Sequence, residues 1–154
     1  MANLHYSGSF NLTKPPQEVS GALSNLGLII KCIPNVTDYE LISESKARAR
    51  FRVDLGDEVP VAELRRVTSD TVIEVTESSK NSIRLRVSGR AAGSSIEVNL
   101  SILIEPNAGG SRVSWSADAS LGRLLQMMSR FVNIDSIVGR IANDTINGIA
   151  KCLT

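Results

Sequence analysis

The sequence predicts an α+β fold in which a curved antiparallel sheet of about seven strands wraps around one long C-terminal helix, with two short helices after the first strand. Three observations carry this. Apolar and polar residues alternate through most of the stretch from Lys46 to Ala119, the signature of half-buried strands. From Leu121 onward the apolar residues recur three or four apart, the helical spacing. Ahead of the alternating region, Pro15-Pro16 introduces a shorter stretch at helical spacing.

Leu4 to Leu12 reads as a strand with Leu4, Tyr6, Gly8 and Phe10 on one side. Lys14-Pro15-Pro16 ends it, because proline lacks the N–H that a ladder needs yet suits the first turn of a helix. From Gln17, the residues Val19, Ala22, Leu23 and Leu26 recur at helical spacing; Asn25 and Gly27 break the run before Leu28 to Ile33, giving two short helices. After Pro34-Asn35 the period switches to two. Ala47, Ala49, Phe51, Val53 and Leu55 alternate with Arg48, Arg50, Arg52 and Asp54, and Gly56-Asp57 supplies a turn. Val59 to Ser78 reads as one long strand interrupted near Ser69-Asp70. Ile83, Leu85 and Val87 form the next strand; Ala92-Gly93 then turns into Ile96, Val98, Leu100, Ile102 and Ile104. Asn107 to Gly110 makes a further turn, followed by Val113, Trp115, Ala117 and Ala119. The apolar residues from Leu121 to Cys152 then predict one long amphipathic helix, about 45 Å if unbroken, with Gly139 and Gly148 as the places for a bend.

The 154 residues fit a single domain, 1–154, able to bury its own core. Seventeen basic and sixteen acidic residues leave a formal charge of +1, so the overall field does not steer the chain toward nucleic acid or anionic lipid. The two cysteines, Cys32 and Cys152, match neither a C-x-x-C pair nor a disulfide framework; a reducing cytoplasm suits them, with Cys32 as a buried, inert thiol. No basic stretch followed by an apolar one precedes the first strand, so a secretory leader is not expected. The longest apolar segment, Leu26 to Ile30, falls far short of the roughly 20 residues that cross a bilayer.

A curled sheet gripping one helix leaves space that short helices can close at one end. Ala47, Ala49, Gly89, Ala117 and Ala119 fall on the predicted inner face beside large apolar residues, so the interior is either interdigitated or open to a ligand. The expected lining of an apolar pocket is Phe51, Val53, Leu85, Val98, Leu100, Trp115, Leu124, Met128 and Phe131.

Several short motifs sharpen this expectation: Gly8-Ser9-Phe10 followed by Pro15-Pro16-Gln17-Glu18-Val19, Cys32-Ile33-Pro34-Asn35, Glu105-Pro106 with Gly109-Gly110-Ser111-Arg112-Val113, and Leu121-Gly122-Arg123-Leu124. In their order and spacing, from about Tyr6 to Leu153, the chain resembles the CoxG family of carbon monoxide dehydrogenase proteins, a branch of the helix-grip superfamily shared with START and Bet v 1 proteins. It departs from the family's pattern at Ser20, where an aromatic residue is common, and at Asn35, where glycine is common. The resemblance implies a non-catalytic accessory protein of molybdenum hydroxylases such as carbon monoxide dehydrogenase, with a cavity for a hydrophobic, quinone-like or lipid-like molecule. It implies no catalytic residue, cofactor or metal. Some members carry a C-terminal extension that tethers them to membrane; with Thr154 straight after the helix, no tether is expected here.

The residues themselves give little to catalysis. His5 is the only histidine and has no cluster of ligands or triad partners around it in sequence. Glu40, Glu44, Asp54, Asp57 and Glu58 fall in strand ends and turns, where carboxylates are ordinarily solvated. Arg48, Arg50, Arg52, Arg84 and Arg86 share the outer face, with Glu63, Glu74 and Glu97 as cross-strand partners; without aromatic platforms this face does not read as a nucleic-acid site. Two alternatives stay open. A cyclase or dehydratase of the same superfold would need inward polar groups, for which the candidates are Tyr6, Tyr39 and Thr76; a solid interior would instead leave a protein-interaction module.

Overall fold

The structure is a computed structural model and describes residues 2–54, 66–91, 93–128 and 133–153. Its elements are β1 (Ala2–Leu12), α1 (Pro16–Leu23), α2 (Leu26–Cys32), β2 (Val36–Ser43), β3 (Lys46–Asp54), β4 (Arg66–Ser78), β5 (Ser82–Ala91), β6 (Ser94–Asn107), β7 (Gly110–Leu121), α3 (Arg123–Met128) and α4 (Ile134–Leu153). Seven antiparallel strands form one open sheet in the order β1-β7-β6-β5-β4-β3-β2. This is the α+β, helix-grip architecture expected from the sequence, with two short helices between β1 and β2 and the last helix on the inner face.

Local chemistry sets the boundaries. Pro16 opens α1, where its missing N–H costs nothing, and the side chain of Asn25 caps α2 by accepting from the Leu28 N–H at 3.2 Å. The β6–β7 hairpin turns through Ala108 and Gly109, both at positive φ, and Gly93 does the same between β5 and β6. Asn35, in contrast, turns the chain without a left-handed conformation, and its carbonyl accepts from the Arg52 N–H at 2.9 Å. Ser20, in place of an aromatic residue, is buried and donates to the Ser79 carbonyl at 3.2 Å, tying α1 to the β4–β5 turn.

Three expectations need correction. The C-terminal helical stretch is not one unbroken helix. It divides into α3 and α4, and Asn133 caps the second by accepting from the Ser136 N–H at 3.1 Å. Strand β4 runs through Ser69-Asp70 without a break, its irregularity lying instead between Val75 and Glu77. Around Ser69-Asp70 the inner side carries Ser69 and Thr71, so the apolar alternation fades although the ladder continues. The expected strand start at Val59, the Gly56-Asp57 turn and Glu63 lie outside the described residues.

The third correction concerns the cysteines. Gly148 brings α4 so close to the end of α2 that a Cβ there would collide with the Cys32 carbonyl. At this crossing Cys32 and Cys152 are joined in a disulfide, with Cα atoms 6.0 Å apart across 120 residues of sequence. Cys32 is therefore not an inert thiol, and the pair is not free. Spacing alone conceals the pairing because packing of two distant helices creates it.

On the outer face, Arg50 pairs with Asp70 at 3.0 Å, Arg86 with Glu97 at 2.9 Å and Arg84 with Glu77 at 3.5 Å, all solvent-exposed. Such pairs contribute little, about 0–1 kcal/mol each.

Candidate functional site

Because side chains alternate across a strand, register assigns the inner face in rows. Phe51, Ser69, Ala91 and Ser94 form one row across β3 to β6. The next is Ala49, Thr71, Gly89, Ile96 and Leu121; beyond it lie Ala47, Ile73, Val87, Val98 and Ala119. Further along come Val75, Leu85, Leu100, Ala117 and Tyr6, and then Ile83, Ile102, Trp115 and Gly8.

One end is sealed. Val19, Leu23, Leu26 and Ile30 of α1 and α2 pack with Ile83, Ile104 and Val113, all 0–1% exposed. Ser111 donates to the Lys14 carbonyl at 2.7 Å, and Gly110 lies against the Leu12 backbone where a side chain would not fit. The middle differs. Val87, Ile96, Val98 and Leu100 face inward from the two central strands, yet each stays partly exposed. The reason is the path of α4, which leans on β1 and α2 rather than crossing the central strands closely. Its mid-section residues Val138, Ile141 and Ala142 are likewise only half-buried.

Tyr6 anchors the start of α4. Its hydroxyl donates to the Asp135 carboxylate at 2.8 Å and lies 3.0 Å from the Asp135 carbonyl, while Gly139 leaves room for its ring. Burial first, then the hydrogen bond and negative charge of Asp135, push the phenol well above its ordinary pKa. Since the folded value lies above the unfolded one, this contribution is complete below about pH 10 and is lost as pH rises further. Tyr6→Phe is expected to lower stability by about 1 kcal/mol near neutrality. Denaturant titrations from pH 8 to 11 should show the wild type losing this margin over the variant above about pH 10.

Of the nine residues expected to line a pocket, five are described and share the inner face: Phe51, Val98 and Leu100 half-buried, Leu85 and Trp115 buried. Leu85 and Leu100 are direct cross-strand partners. The Trp115 indole lies over Gly8, 3.0–3.1 Å from where a Cβ would sit. Val53 pairs with Val67 in the ladder, and Leu124 and Met128 belong to α3, but their side chains lie outside the described residues, as does all of Phe131. Of the inward polar candidates, only Tyr6 is half-buried. Tyr39 is 39% exposed on the edge strand β2, and Thr76 is exposed, bonded to the Arg84 carbonyl at 3.3 Å. Sequence reasoning missed the inward polar groups Ser69, Thr71 and Ser94; their positions two apart, or across a turn, from inward apolar residues were the available signal. His5 is exposed and meets Asp118 at 2.7 Å. Among the described residues no group of three or more His, Cys, Asp or Glu is placed to hold a metal, and no helix is long and apolar enough to cross a membrane.

The family model of the carbon monoxide dehydrogenase CoxG subunit matches residues 8–154. The chain belongs to the CoxG family. The glycines of its motifs, Gly8, Gly110 and Gly122, prove to be points of close approach: under Trp115, against Leu12, and against Ser94 and Ser95. Solved structures agree on the CoxG chain's fold. A conserved protein from Geobacillus kaustophilus matches at 22% identity and a TM-score of 0.76, over 96% of this chain and 93% of its own. The Zhui aromatase/cyclase from a Streptomyces species matches at 12% identity and 0.67, over 97% and 93%. A START superfamily protein from Mycobacterium smegmatis matches at 12% identity and 0.57, again over 97% and 93%. Curated protein sequences give no match.

Proposed function

We propose that this CoxG-family chain is a non-catalytic accessory protein that holds a lipophilic, quinone-like molecule between the inner face of β3–β7 and α4, in the service of a molybdenum hydroxylase of the carbon monoxide dehydrogenase type. The observation that carries the binding role is the half-open middle of the inner face: Val87, Ile96, Val98 and Leu100 sit on central strands, face inward and remain partly exposed. Apolar surface of this kind favours an apolar occupant at roughly 25 cal/mol per Å² buried. Family membership supports the partner. One structural relative is an aromatase/cyclase, but the described inner rows here offer Ser, Thr and Tyr and no His or carboxylate, which supports a carrier over an acid/base enzyme. The expectation of a cytoplasmic protein rests partly on two unpaired thiols, and the Cys32–Cys152 bridge removes that ground.

A bound apolar molecule is expected in organic extracts of the purified protein by mass spectrometry. Adding 2-methyl-1,4-naphthoquinone at a hundredfold excess over Kd should stabilise the fold by about 2.7 kcal/mol, read as a thermal shift. Val98→Trp should abolish that shift at a cost of about 1–3 kcal/mol in stability. An empty extract, no shift with any lipophilic probe and no quenching of Trp115 would leave the interaction-module reading in its place.

A further inference from the structure

Two hydroxyls inside the sheet have no partner among the described residues. Ser69 is 6% exposed and Ser94 4%, and neither Oγ meets a hydrogen-bond partner there. They are not scattered: Ser69 pairs with Ala91 on one side, and Ser94 pairs with Ala91 on the other. The two serines therefore flank a single methyl group in the same inner row, about 10 Å apart between Cα atoms by two strand spacings. All three residues are buried. The neighbouring inner positions, Phe51 across from Ser69 and Ile96 two along from Ser94, are half-open. Thr71, the other buried hydroxyl of this region, already donates to the Ala49 carbonyl at 2.9 Å and offers a contrast.

A buried hydroxyl without a partner destabilises a fold, and native structures keep few of them. The hydroxyl hydrogen of each serine turns about its Cβ–Oγ bond, so the O–H can be aimed at an acceptor on the half-open side. We infer that Ser69 and Ser94 donate hydrogen bonds to two oxygens on opposite edges of a ring-sized head group, which lies over Ala91 with its apolar body running toward Val98 and Leu100. The ligand class is an apolar molecule whose head carries two opposed carbonyl oxygens. This assignment rests on the carrier reading above and adds the end of the site that recognises the head.

The test uses two probes with one skeleton, 2-methyl-1,4-naphthoquinone and 2-methylnaphthalene, titrated by calorimetry into the full chain, Ser69→Ala, Ser94→Ala and the double variant. The wild type should prefer the dione, and each Ser→Ala change should reduce that preference about fivefold while leaving hydrocarbon affinity unchanged. Without ligand, both variants should be as stable as the wild type or more so, since an unpartnered hydroxyl is removed. Equal binding of the two probes by the wild type, or an unchanged preference in the double variant, would overturn the assignment and leave the hydroxyls to buried water, with the carrier reading intact. A clear loss of apo stability in either variant would show a structural partner and overturn it too. Failure of both probes to bind the wild type would sink the carrier reading and this inference together.

Discussion

Replacing Cys32 and Cys152 together by serine, or reducing the bridge, is expected to lower the unfolding free energy by about 2–5 kcal/mol. A cross-link restricts the unfolded chain, and the effect grows with the loop it closes; loops of about 100 residues come to ~4.7 kcal/mol in the chain-entropy account. Here the sulfurs are 120 residues apart in sequence. Cys152 is exposed and Cys32 half-buried, so a small thiol reductant reaches the bond. Urea titrations with and without reductant measure the difference. Identical midpoints would show that the two sulfurs are not joined in solution. The double variant should retain the fold, because α4 is also fixed through Tyr6 to Asp135 and through Ile149 and Leu153 in the core.

A second large effect distinguishes the sealed end from the open middle. Ile83→Ala should cost about 2–5 kcal/mol, because Ile83 is fully buried beneath α1 and its loss leaves a void in close packing. Ile96→Ala, the same change on the adjacent strand and the same inner face, should cost less than about 1 kcal/mol, because Ile96 is already partly exposed. Equal losses would mean that the middle is packed as tightly as the end, and no room for a ligand would remain.

How much of this was legible beforehand depends on where the physics is written. Half-buried strands declare themselves by alternation, so Ala47-Ala49-Phe51 and Ile96-Val98-Leu100 are inner-facing in both sequence and structure. The Pro-opened α1 and Asn-capped α2 are local chemistry and equally readable. The division between α3 and α4 was readable too, in the run Asn133-Ile134-Asp135-Ser136, where a cap precedes an acidic first turn; the continuing apolar period masked it. Strand β4 near Ser69 was obscured because its inward side chains are hydroxyls, and a hydropathy period cannot register a polar interior. The disulfide had no sequence signal at all. It exists because Gly148 permits two helices to touch, a fact of tertiary packing. Whether the inner face is filled or half-open is of the same kind: period places Val98 and Leu100 inside, but only the path of α4 decides what covers them.

The bridge also gives the molecule an unusual response to cutting. Residues 32 to 152 become a closed covalent ring, while β1, α1 and most of α2 form a tail outside it. A protease that severs the exposed turn at Ala108-Gly109 opens the backbone yet leaves one molecule, whose two pieces part only when a reductant is added. A cut in the link between β1 and α1, near Thr13, has the opposite outcome. It frees β1 as a separate peptide, retained by non-covalent contacts such as its ladder with β7 and its contacts with α4, and lost on denaturation whatever the redox state.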